Sequence, residues 1–479
     1  MTIHEECFKV DLEKKQRIVI IGAGPTGLGV AYRLYELGVL CSKTQVVILE
    51  QTNEPGGLSS SYRDEHGFLW DNGGHVIFSH YPYYDRVLDN AVSEWKYHHR
   101  AAYVYMMGSS GKRRFIPYPV QNSIHLLDKE EQDKALRGLE EMLRHSKHKN
   151  ASNFDEWLVN NFGEGLCEVF LRKYNRKVWT VDPREMNSLW MDEHIAVPNI
   201  ETIKTKASRT EMEVNDEAQD TKWGPNSLFQ YPRYGSTGAI WKGVANMLPQ
   251  GWFHYHKRLT RIDSSMKKVH VQDSKDSTIT HTFHYDYLIS TAPLDVLLQS
   301  ISDIQECKVN KNFNNFVHSH THIVGIGLKG SPPDFLANKT WIYFPDSDSP
   351  FHRVTVLSNY GDDMVPMPGK QWSLMCEVTQ PQTSHSVAYQ EDNVIESTLT
   401  SLVSYGFIKR ANVVSKYYRY LNHGRPVPVV RREELLGPIQ SWLEFRGIYS
   451  RGCFGGWRCE VVDSCTGQQR IYHYTHLSL

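Results

Sequence analysis

Apolar and polar positions follow their clearest pattern near the start of the chain. Residues 18–21 form a β-branched apolar run, which is typical of a buried parallel strand. After a glycine-rich break, apolar residues recur at helical spacing as far as Gly38, which fits the C-terminal stop of a helix. A second apolar run, residues 46–49, ends on Glu50. The pattern therefore predicts a strand, a helix and a second strand that ends on an acidic residue.

The spacing of apolar positions changes twice farther along the chain. Residues 122–199 have helical spacing, and Leu136, Leu139 and Leu143 fall on one predicted helix face. Residues 320–420 instead contain a series of strand-like segments. The sequence therefore predicts an α/β chain with an inserted helical domain and a later mixed or antiparallel β-sheet.

The glycine-rich break has the spacing of a dinucleotide-binding turn. In such a turn the first glycine makes the tight bend, the second lets the backbone approach a pyrophosphate, and the third lets the helix pack close to the strand. The helix N-terminus offers free N–H groups to the phosphates, and the acidic residue accepts hydrogen bonds from a ribose diol. A plain structural turn is the alternative. The predicted cofactor-binding residues of this unit are Gly22, Gly24, Pro25, Thr26, Gly27 and Glu50.

A second glycine pair follows this unit and bears on the choice of cofactor. It lies in the run Gly56, Gly57, Leu58 and Ser59, which we predict to bind the cofactor. NAD-binding domains do not need this extension, whereas FAD enzymes of the glutathione-reductase type commonly place a second glycine-rich turn along the ribityl-phosphate arm. The pair therefore favours FAD over NAD, and a simple loop is the alternative.

A third glycine pair precedes a histidine. Gly73 and Gly74 carry no side chains just before His75, so a flat ring could lie close to the backbone there. His75 could then contact a flavin and respond to its charge, because histidine titrates near neutrality. A hairpin with a surface histidine explains the same residues equally well.

Composition narrows the class of protein without identifying it. The chain has 479 residues and a formal net charge of −1, which fits two or three globular domains and gives no argument for nucleic acid or an anionic membrane as partner. Neither a secretory signal nor a bilayer-spanning apolar run is visible, so we expect a cytoplasmic protein. The eight cysteines match no zinc pattern, and the sequence predicts free thiols and no metal site.

Longer motifs carry a resemblance to a known family. The runs EPGGLSSSY, DNGGHVIFSHY, FIPYPVQN and WGPN resemble UDP-galactopyranose mutase of the eukaryotic type, and the resemblance covers about residues 17–460. It implies an α/β fold in which an FAD-binding, Rossmann-like domain of the glutathione-reductase type carries an inserted helical domain and a mixed or antiparallel β-sheet domain. We expect the FAD-binding segments at 1–100, 223–300 and 425–479, the sheet segments at 101–118 and 301–424, and the UDP-binding helical segment at 119–222.

The resemblance also implies an activity. Family members interconvert UDP-galactopyranose and UDP-galactofuranose, the latter for galactofuranose biosynthesis, and N5 of reduced FAD attacks the anomeric carbon. NADPH is the implied reductant, although no separate NADPH fingerprint is visible. A loop within residues 201–222 is expected to be mobile and to close over the substrate. The oligomeric state stays open, and a homo-oligomer is compatible with the sequence.

Site residues are carried over from the family motif by motif. Arg353 and Tyr343 are expected to stabilise the diphosphate, and His75 to tune the flavin. A guanidinium fork suits a diphosphate better than an ammonium group does. For the aromatic residues at helical spacing, core packing is the alternative reading. The implied substrate-binding residues are Phe78, Tyr118, Gln121, Phe170, Tyr174, Asn175, Trp179, Asn226, Trp341, Tyr343, Arg353, Tyr360 and Arg425.

Four features depart from the family. His194 stands where the family has a second diphosphate arginine, and Arg425 and Cys459 replace two tyrosines. Arg425 could supply the charge that is lost at His194. The tail after Val461 lacks the expected helix opening near the flavin, so we expect weaker FAD binding and a costlier anionic hydroquinone.

Two other functions stay open at this point. One is a flavin oxidoreductase of the amine-oxidase or desaturase kind, which shares the N-terminal unit. The other is a non-catalytic descendant that binds UDP-sugar and holds FAD weakly, which the atypical tail favours. FIPYPVQN and WGPN argue against the first of these.

Overall fold

The computed structural model of this protein describes most of the chain. The described residues are 15–39, 43–77, 79, 81–145, 151–191, 205, 228–306 and 316–458. Several predictions fall outside these ranges, namely those on Phe78, His194, Asn226, Cys459, the tail after Val461 and, apart from Thr205, the loop at 201–222.

Strands occur along the whole described chain. In chain order they are β1 (Arg17–Ile21), β2 (Gln45–Leu49), β3 (Ser61–Arg63), β4 (Leu69–Asp71), β5 (Trp95–His99), β6 (Ala102–Met107), β7 (Arg113–Pro117), β8 (Leu228–Pro232), β9 (Phe253–His254), β10 (Lys257–Asp263), β11 (Lys268–Asp273), β12 (Thr280–His284), β13 (Tyr287–Ser290), β14 (His318–Lys329), β15 (Trp341–Tyr343), β16 (Arg353–Thr355), β17 (Gln371–Pro381), β18 (Val413–Pro426) and β19 (Ile448–Ser450).

Helices connect and cover these strands. In chain order they are α1 (Pro25–Glu36), α2 (Pro82–Ala91), α3 (Lys129–His145), α4 (Phe154–Leu166), α5 (Arg172–Trp179), α6 (Ser236–Asn246), α7 (Leu294–Ser300), α8 (Asp334–Ala337), α9 (Glu391–Ser404), α10 (Arg432–Phe445) and α11 (Gly452–Gly455). None of the helices described combines the length and apolar content needed to cross a bilayer.

A parallel sheet contains the predicted strand–helix–strand unit. Its strand order is β19-β13-β1-β2-β9, with β1 in the centre and every neighbouring pair parallel. Ile18 and Ile20 on β1 are fully buried because helices cover both faces of the sheet. Helix α1 begins at Pro25, and the chain leaves it through Gly38 with a φ of +77°. The predicted strands and the predicted helix stop are therefore confirmed.

A seven-stranded mixed sheet forms the second layer. Its strand order is β18-β14-β17-β16-β15-β6-β7. Strands β15 and β6 are parallel, and every other pair of neighbouring strands in this sheet is antiparallel. This confirms the predicted mixed or antiparallel sheet. A smaller antiparallel sheet, β10-β11-β12, lies beside the parallel one.

The helical insertion packs through close backbone contacts. A Cβ added at Gly165 would lie 1.9 Å from the carbonyl oxygen of Lys134, and one at Gly163 would lie 2.4 Å from that of Gly138. Helices α3 and α4 can therefore approach only because glycine occupies these positions. A π-helical turn, Cys167–Leu171, then joins α4 to α5.

The predicted apolar face of α3 is only partly correct. Leu139 is fully buried, as expected, but the side chain of Leu143 is 52 % exposed. Leu136 is half-buried, and the fully buried neighbour of Leu139 is Ala135. The prediction was wrong for Leu143 because it lies beyond the part of α3 that the glycine-rich turn of α4 covers.

A buried ion pair joins two neighbouring strands of the mixed sheet. Arg353 on β16 lies opposite Glu377 on β17, and its Nε and Nη2 donate to the two carboxylate oxygens at 2.6 and 2.8 Å. Only 4 % of the Glu377 side chain is exposed. Burial raises the pKa of Glu377, but the charge and hydrogen bonds of Arg353, together with nearby positive charge that includes Arg425, outweigh burial and lower that pKa to about 2.

His352 lies beside the pair and is 1 % exposed. Its Nε2 is 3.8 Å from Oε2 of Glu377. Burial lowers the pKa of His352 to about 3, so the folded protein holds this imidazole neutral at ordinary pH.

Two glycines on β14 receive the aromatic rings of the β3–β4 hairpin. A Cβ added at Gly325 would lie 2.6 Å from the ring of Trp70, and one at Gly327 would lie 2.7 Å from the ring of Phe68. Both rings are fully buried. The hairpin that leads to Gly73 is therefore seated directly on the mixed sheet.

Gly325→Ala tests this seating. We expect the added methyl group to lower the free energy of unfolding by about 1–3 kcal/mol, because it overpacks a rigid aromatic contact. Urea denaturation measures the change. Gly251→Ala is the matched control, since no heavy atom lies within 4 Å of its added Cβ. Equal stability of the two variants would contradict the seating.

Acidification tests the buried charges. The folded-state pKa values of His352 and Glu377 are both lowered. The contribution of His352 to stability is therefore complete above pH about 6.5 and is lost as the pH falls towards about 3. The contribution of Glu377 is complete above pH about 4.5 and is lost as the pH falls towards about 2. We expect a smaller loss of unfolding free energy between pH 6.5 and 4.5 for His352→Leu than for the wild type. The difference should be about 2 kcal/mol.

The matched control is His281→Leu, which alters an exposed side chain. Guanidinium denaturation across the pH range measures each slope. If His352→Leu keeps the full slope of the wild type, the burial of a neutral His352 is wrong.

Candidate active site

The glycine-rich turn has the close contacts that a bound pyrophosphate requires. The N–H of Gly22 donates to the carbonyl of Leu49 at 2.8 Å, which ties the turn to β2. A Cβ at Gly27 would lie 2.0 Å from the carbonyl oxygen of Gly22, so only glycine allows α1 to pack against the turn. A Cβ at Gly57 would lie 3.1 Å from Cα of Gly24. The first and second glycine motifs therefore meet in the structure.

The acidic end of β2 is fixed by its own hydrogen bonds. Glu50 is 6 % exposed, and its Oε2 accepts from the N–H of Ala23 at 2.9 Å. Its Oε1 accepts from both the N–H and the hydroxyl of Thr52, at 2.9 and 3.0 Å. Each carboxylate oxygen can accept more than one hydrogen bond, so Oε2 keeps a lone pair for a ribose diol.

A buried carboxylate anchors the loop that carries the third glycine pair. Asp71 is fully buried, and its Oδ1 accepts hydrogen bonds from the hydroxyls of Ser61, Ser236 and Thr237 at 2.5, 2.6 and 2.8 Å. Its Oδ2 accepts from the hydroxyl of Tyr231 at 2.5 Å. These donors hold the end of β4 in place and thereby set the path of the backbone through Gly73, whose φ is +127°.

Unpartnered polar atoms line the cleft around this loop. Nδ1 of His75, both amide atoms of Asn72 and Oγ1 of Thr355 are buried and have no hydrogen-bond partner among the described residues. A Cβ at Gly74 would lie 3.0 Å from Oγ1 of Thr355. Buried polar groups normally have partners. A flat ring with both donors and acceptors on its edge, such as an isoalloxazine, fits this set.

His75 is held in its neutral form. Its pKa is lowered mainly by burial; the carboxylates of Asp71 and Glu377 oppose the shift, and the charges of Arg353 and Arg425 add to it. A neutral imidazole offers one donor and one acceptor, and the buried Nδ1 has no hydrogen-bond partner among the described residues. His75 can therefore exchange a hydrogen bond, rather than a charge, with a bound flavin.

Aromatic rings connect the helical insertion to the mixed sheet. The ring of Tyr343 on β15 lies 4.8 Å from that of Tyr118 and 5.2 Å from that of Tyr174 on α5. Phe170 stacks on Tyr174 at 5.4 Å with an interplanar angle of 13°. Trp341 continues the row at 6.5 Å from Tyr343. The structure thus brings five predicted substrate residues into one row.

Arg353 links this row to the glycine loop. It lies directly opposite Tyr343 in the β15–β16 pairing, and its Cζ would be 3.2 Å from a Cβ at Gly74. The N–H of Gly74 in turn donates to Oε1 of Glu377 at 3.0 Å. The predicted residues Tyr343, Arg353, Gly74 and His75 therefore share one cleft.

Arg425 reaches the same cleft from β18. It lies opposite Ser319 in the β14–β18 pairing. Its guanidinium makes no hydrogen bond or ion pair with another side chain in the described part of the chain. The pKa values of His75 and His352 are lowered mainly by burial, and the positive charge of Arg425 lowers both of them further. The guanidinium of Arg425 therefore lies near both imidazoles.

Other predicted substrate residues are engaged in packing. Trp179 is 5 % exposed and meets Trp190 edge-to-face at 5.1 Å. Nδ2 of Asn175 donates to a carbonyl of its own helix at 2.8 Å. Tyr360 is 1 % exposed, and its hydroxyl donates to the carbonyl of Thr340 at 3.3 Å. Gln121 is buried at the start of the insertion. Their role in binding stays a prediction.

In the second glycine motif, Ser59 is buried and Leu58 is 40 % exposed.

At the start of α1, Gly24 caps the helix without a side-chain hydrogen bond and is followed by Pro25. A Cβ at Gly452 would lie 2.7 Å from Oγ1 of Thr26, so α11 approaches this helix end. The N–H groups of the first turn are therefore not covered by a side-chain cap.

Sequence reasoning missed Asp71, Thr355 and Glu377. Glu377 stands alone as a charged residue in a strand whose neighbours are buried and mostly apolar. A single acid within such a run signals a buried partner, because an unpaired buried carboxylate is costly. That signal could have identified Glu377, but it does not name Arg353 as the partner.

Comparison with known proteins identifies the relatives of this chain. A family model described as flavin containing amine oxidoreductase matches residues 25–369. A crystal structure of reduced UDP-galactopyranose mutase is 36 % identical, covers 97 % of this chain and 93 % of its own, and superposes with a TM-score of 0.84.

More distant structures share the fold alone. A protein from Exiguobacterium sp. 255-15 with the provisional name protoporphyrinogen oxidase is 14 % identical, with 97 % and 98 % coverage of this chain and its own and a TM-score of 0.69. A redesigned putrescine oxidase is 12 % identical, with 96 % and 98 % coverage and a TM-score of 0.61. The family model matches more than half of the chain, and the mutase structure is 36 % identical to it over nearly its whole length. The chain therefore belongs to the UDP-galactopyranose mutase family, within the flavin-containing amine oxidoreductases.

Proposed function

We propose that this chain is a flavin-dependent isomerase that interconverts UDP-galactopyranose and UDP-galactofuranose. One observation carries the proposal. The aromatic row of the helical insertion ends at Tyr343, and Tyr343 lies opposite Arg353, which contacts the Gly74–His75 loop. A nucleotide on the row would therefore place its diphosphate beside the arginine and its sugar beside the flavin-facing loop.

The nucleotide end of the cleft suits a flat, polar ring. The stacked pair of Phe170 and Tyr174 offers an aromatic platform for uracil. Burial raises the pKa values of Tyr118, Tyr174 and Tyr343, so their hydroxyls stay protonated and can donate hydrogen bonds. Protonated phenols next to an anionic ligand avoid charge repulsion.

The diphosphate end of the cleft is cationic. Glu377 accepts hydrogen bonds from Nε and Nη2 of Arg353. These bonds occupy two of the five N–H donors of the guanidinium. The other donors remain for phosphate oxygens, and Glu377 fixes their direction. Arg425 adds a second positive charge to the same region. Charge that develops on the leaving diphosphate is stabilised best by donors that are already oriented.

Reduced FAD, when bound, supplies a nucleophilic N5 for the anomeric carbon. The chain must then hold the sugar in line with the leaving phosphate and exclude water. Gly73 and Gly74 let the ring approach the backbone, while Asn72, His75 and Thr355 would hold its polar edge.

Finer points of the proposal rest on the sequence resemblance. They are the eukaryotic type, NADPH as reductant, a role in galactofuranose biosynthesis, the domain segments given above and the substrate roles of Phe78 and Asn226. A cytoplasmic location is proposed from the apolar pattern and the scattered cysteines of the sequence, not from the resemblance. The oligomeric state stays open. A conserved flavin fold also supports oxidoreductases, so an amine-oxidase-like activity and a non-catalytic UDP-sugar binder remain as outcomes of the test.

The direct test is made on the purified full chain. We expect a flavin absorption spectrum and, after reduction with dithionite, conversion of UDP-galactofuranose to UDP-galactopyranose without consumption of reductant. Chromatography of the nucleotide sugars measures the conversion. Oxygen-dependent turnover without any need for UDP would support the oxidoreductase instead. A colourless protein that binds UDP but cannot be reconstituted with FAD would support the non-catalytic binder.

Arg353→Lys tests the arginine. We expect kcat/KM to fall at least about 100-fold, because an ammonium group cannot pair with Glu377 and a diphosphate in the same fork geometry. Arg258→Lys, on an exposed position of β10, is the matched control and should keep wild-type activity. The flavin spectrum verifies folding of both. An unaltered kcat/KM in Arg353→Lys would remove the arginine from the proposed mechanism.

Arg425→Gln tests the second charge. We expect the affinity for UDP to fall about tenfold, since one cation near the diphosphate is lost. If Arg425 compensates for His194, the double variant with His194→Gln should lose affinity non-additively in calorimetry. Strict additivity would show that the two side chains act independently.

A further inference from the structure

Three metal-ligating side chains converge beside the strand segment that carries Arg425. Asp295 lies in the first turn of α7, His318 begins β14, and His423 lies on β18. Their ligand atoms all lie within 4.8 Å of one another. Three separate segments supply them, two from the mixed sheet and one from the helix that follows β13 of the parallel sheet. No spacing motif in the sequence could therefore reveal the cluster.

The cluster is compact. Nε2 of His423 lies 3.1 and 3.0 Å from the two carboxylate oxygens of Asp295, and Nδ1 of His318 lies 4.0 Å from Oδ2. The two imidazole rings stack at 4.2 Å with an interplanar angle of 17°. Ligands bound at about 2.0–2.2 Å around one ion lie about 3–3.5 Å apart. Small side-chain movements would bring all three to that separation.

One of the three side chains, His318, is buried without a hydrogen bond to its ring within the described part of the chain. His318 is 4 % exposed, and neither of its ring nitrogens has a hydrogen-bond partner among the residues described. A buried, unpaired imidazole is costly, whereas a neutral imidazole lone pair is what a metal ion requires.

The surroundings are those of a bound ion rather than of an open surface. Phe454 meets His423 edge-to-face at 5.4 Å, and Trp457 lies 6.1 Å from His318. A neighbouring imidazole, His320, is 5.2 Å from His318, but its Nδ1 is already bonded to the carbonyl of Asn422. An aromatic shell around polar ligands restricts water and strengthens coordination.

We propose that Asp295, His318 and His423 bind a divalent transition-metal cation of the borderline class, such as Zn²⁺. Two imidazoles and one carboxylate form a ligand set that suits such ions, and it leaves positions for water. Mg²⁺ and Ca²⁺ are disfavoured because they prefer oxygen ligands. The proposal is independent of the mutase activity.

The position of the cluster indicates what the ion would do. Asp295 follows Thr291, whose hydroxyl donates to the carbonyl of Ile21 beside the dinucleotide turn. His423 precedes Arg425 on β18. A bound ion would therefore tie the dinucleotide-binding sheet to the strand that carries Arg425, as a structural clip between the two layers.

The test uses the full chain after treatment with EDTA, followed by Zn²⁺ and desalting. We expect about one zinc per chain by mass spectrometry of the metal, and a higher melting temperature with zinc than without it. His423→Gln and Asp295→Asn should each lower zinc affinity at least about tenfold and abolish the thermal shift. His281→Gln, an exposed histidine on β12, is the matched control and should retain wild-type zinc.

Co²⁺ provides a second readout on the unaltered protein. We expect a visible difference spectrum that saturates at about one equivalent and disappears on addition of Zn²⁺. No stoichiometric zinc and no cobalt spectrum in the wild type would overturn the proposal. Equal zinc retention by the wild type, His423→Gln and Asp295→Asn would overturn it as well, because the ion would then lie elsewhere. These measurements are made with and without bound flavin, so a failure of the mutase assay does not affect them.

Discussion

The buried pair of Arg353 and Glu377 is the interaction on which the cleft depends. The pair bridges neighbouring strands, and the same carboxylate also accepts the N–H of Gly74. Removing one partner of such a pair leaves an uncompensated charge, which typically costs about 3–5 kcal/mol. One carboxylate therefore fixes the direction of the cationic group and the path of the loop beside it.

A second constraint acts from the opposite side of the loop. Asp71 accepts hydrogen bonds from four hydroxyl groups, which hold the end of β4. The rings of Phe68 and Trp70 lie over glycines of β14. The loop between Asp71 and Gly74 is thus fixed by electrostatics at both ends. Nδ1 of His75, the residue just after this loop, is buried and has no hydrogen-bond partner among the described residues. Preorganised polar groups of this kind bind a ligand without first having to reorder themselves.

Local patterns predicted the local structure well. Strand β1, helix α1 and the glycine contacts at Gly27 and Gly57 were predictable, because sterics and short-range periodicity alone determine them. Glu377 and the cluster of Asp295, His318 and His423 were not, because their partners come from distant segments and no spacing rule applies. Leu143 shows a third kind of error: helical periodicity marks a face, but only the neighbouring element decides how far along the helix that face is covered. Family resemblance supplied Tyr118, Tyr174 and Tyr343; for Tyr174, helical spacing alone would have favoured core packing.

The strand order of the parallel sheet has a consequence for how the chain is made. Strand β1 begins at Arg17, its neighbour β13 ends at Ser290, and the edge strand β19 ends at Ser450. A nascent chain on the ribosome can therefore complete this sheet only after Ser450 has been synthesised. Contacts so distant in sequence slow folding and leave strand edges exposed during synthesis. Cellular yield of this protein should consequently depend more on chaperone supply than its thermodynamic stability alone would suggest.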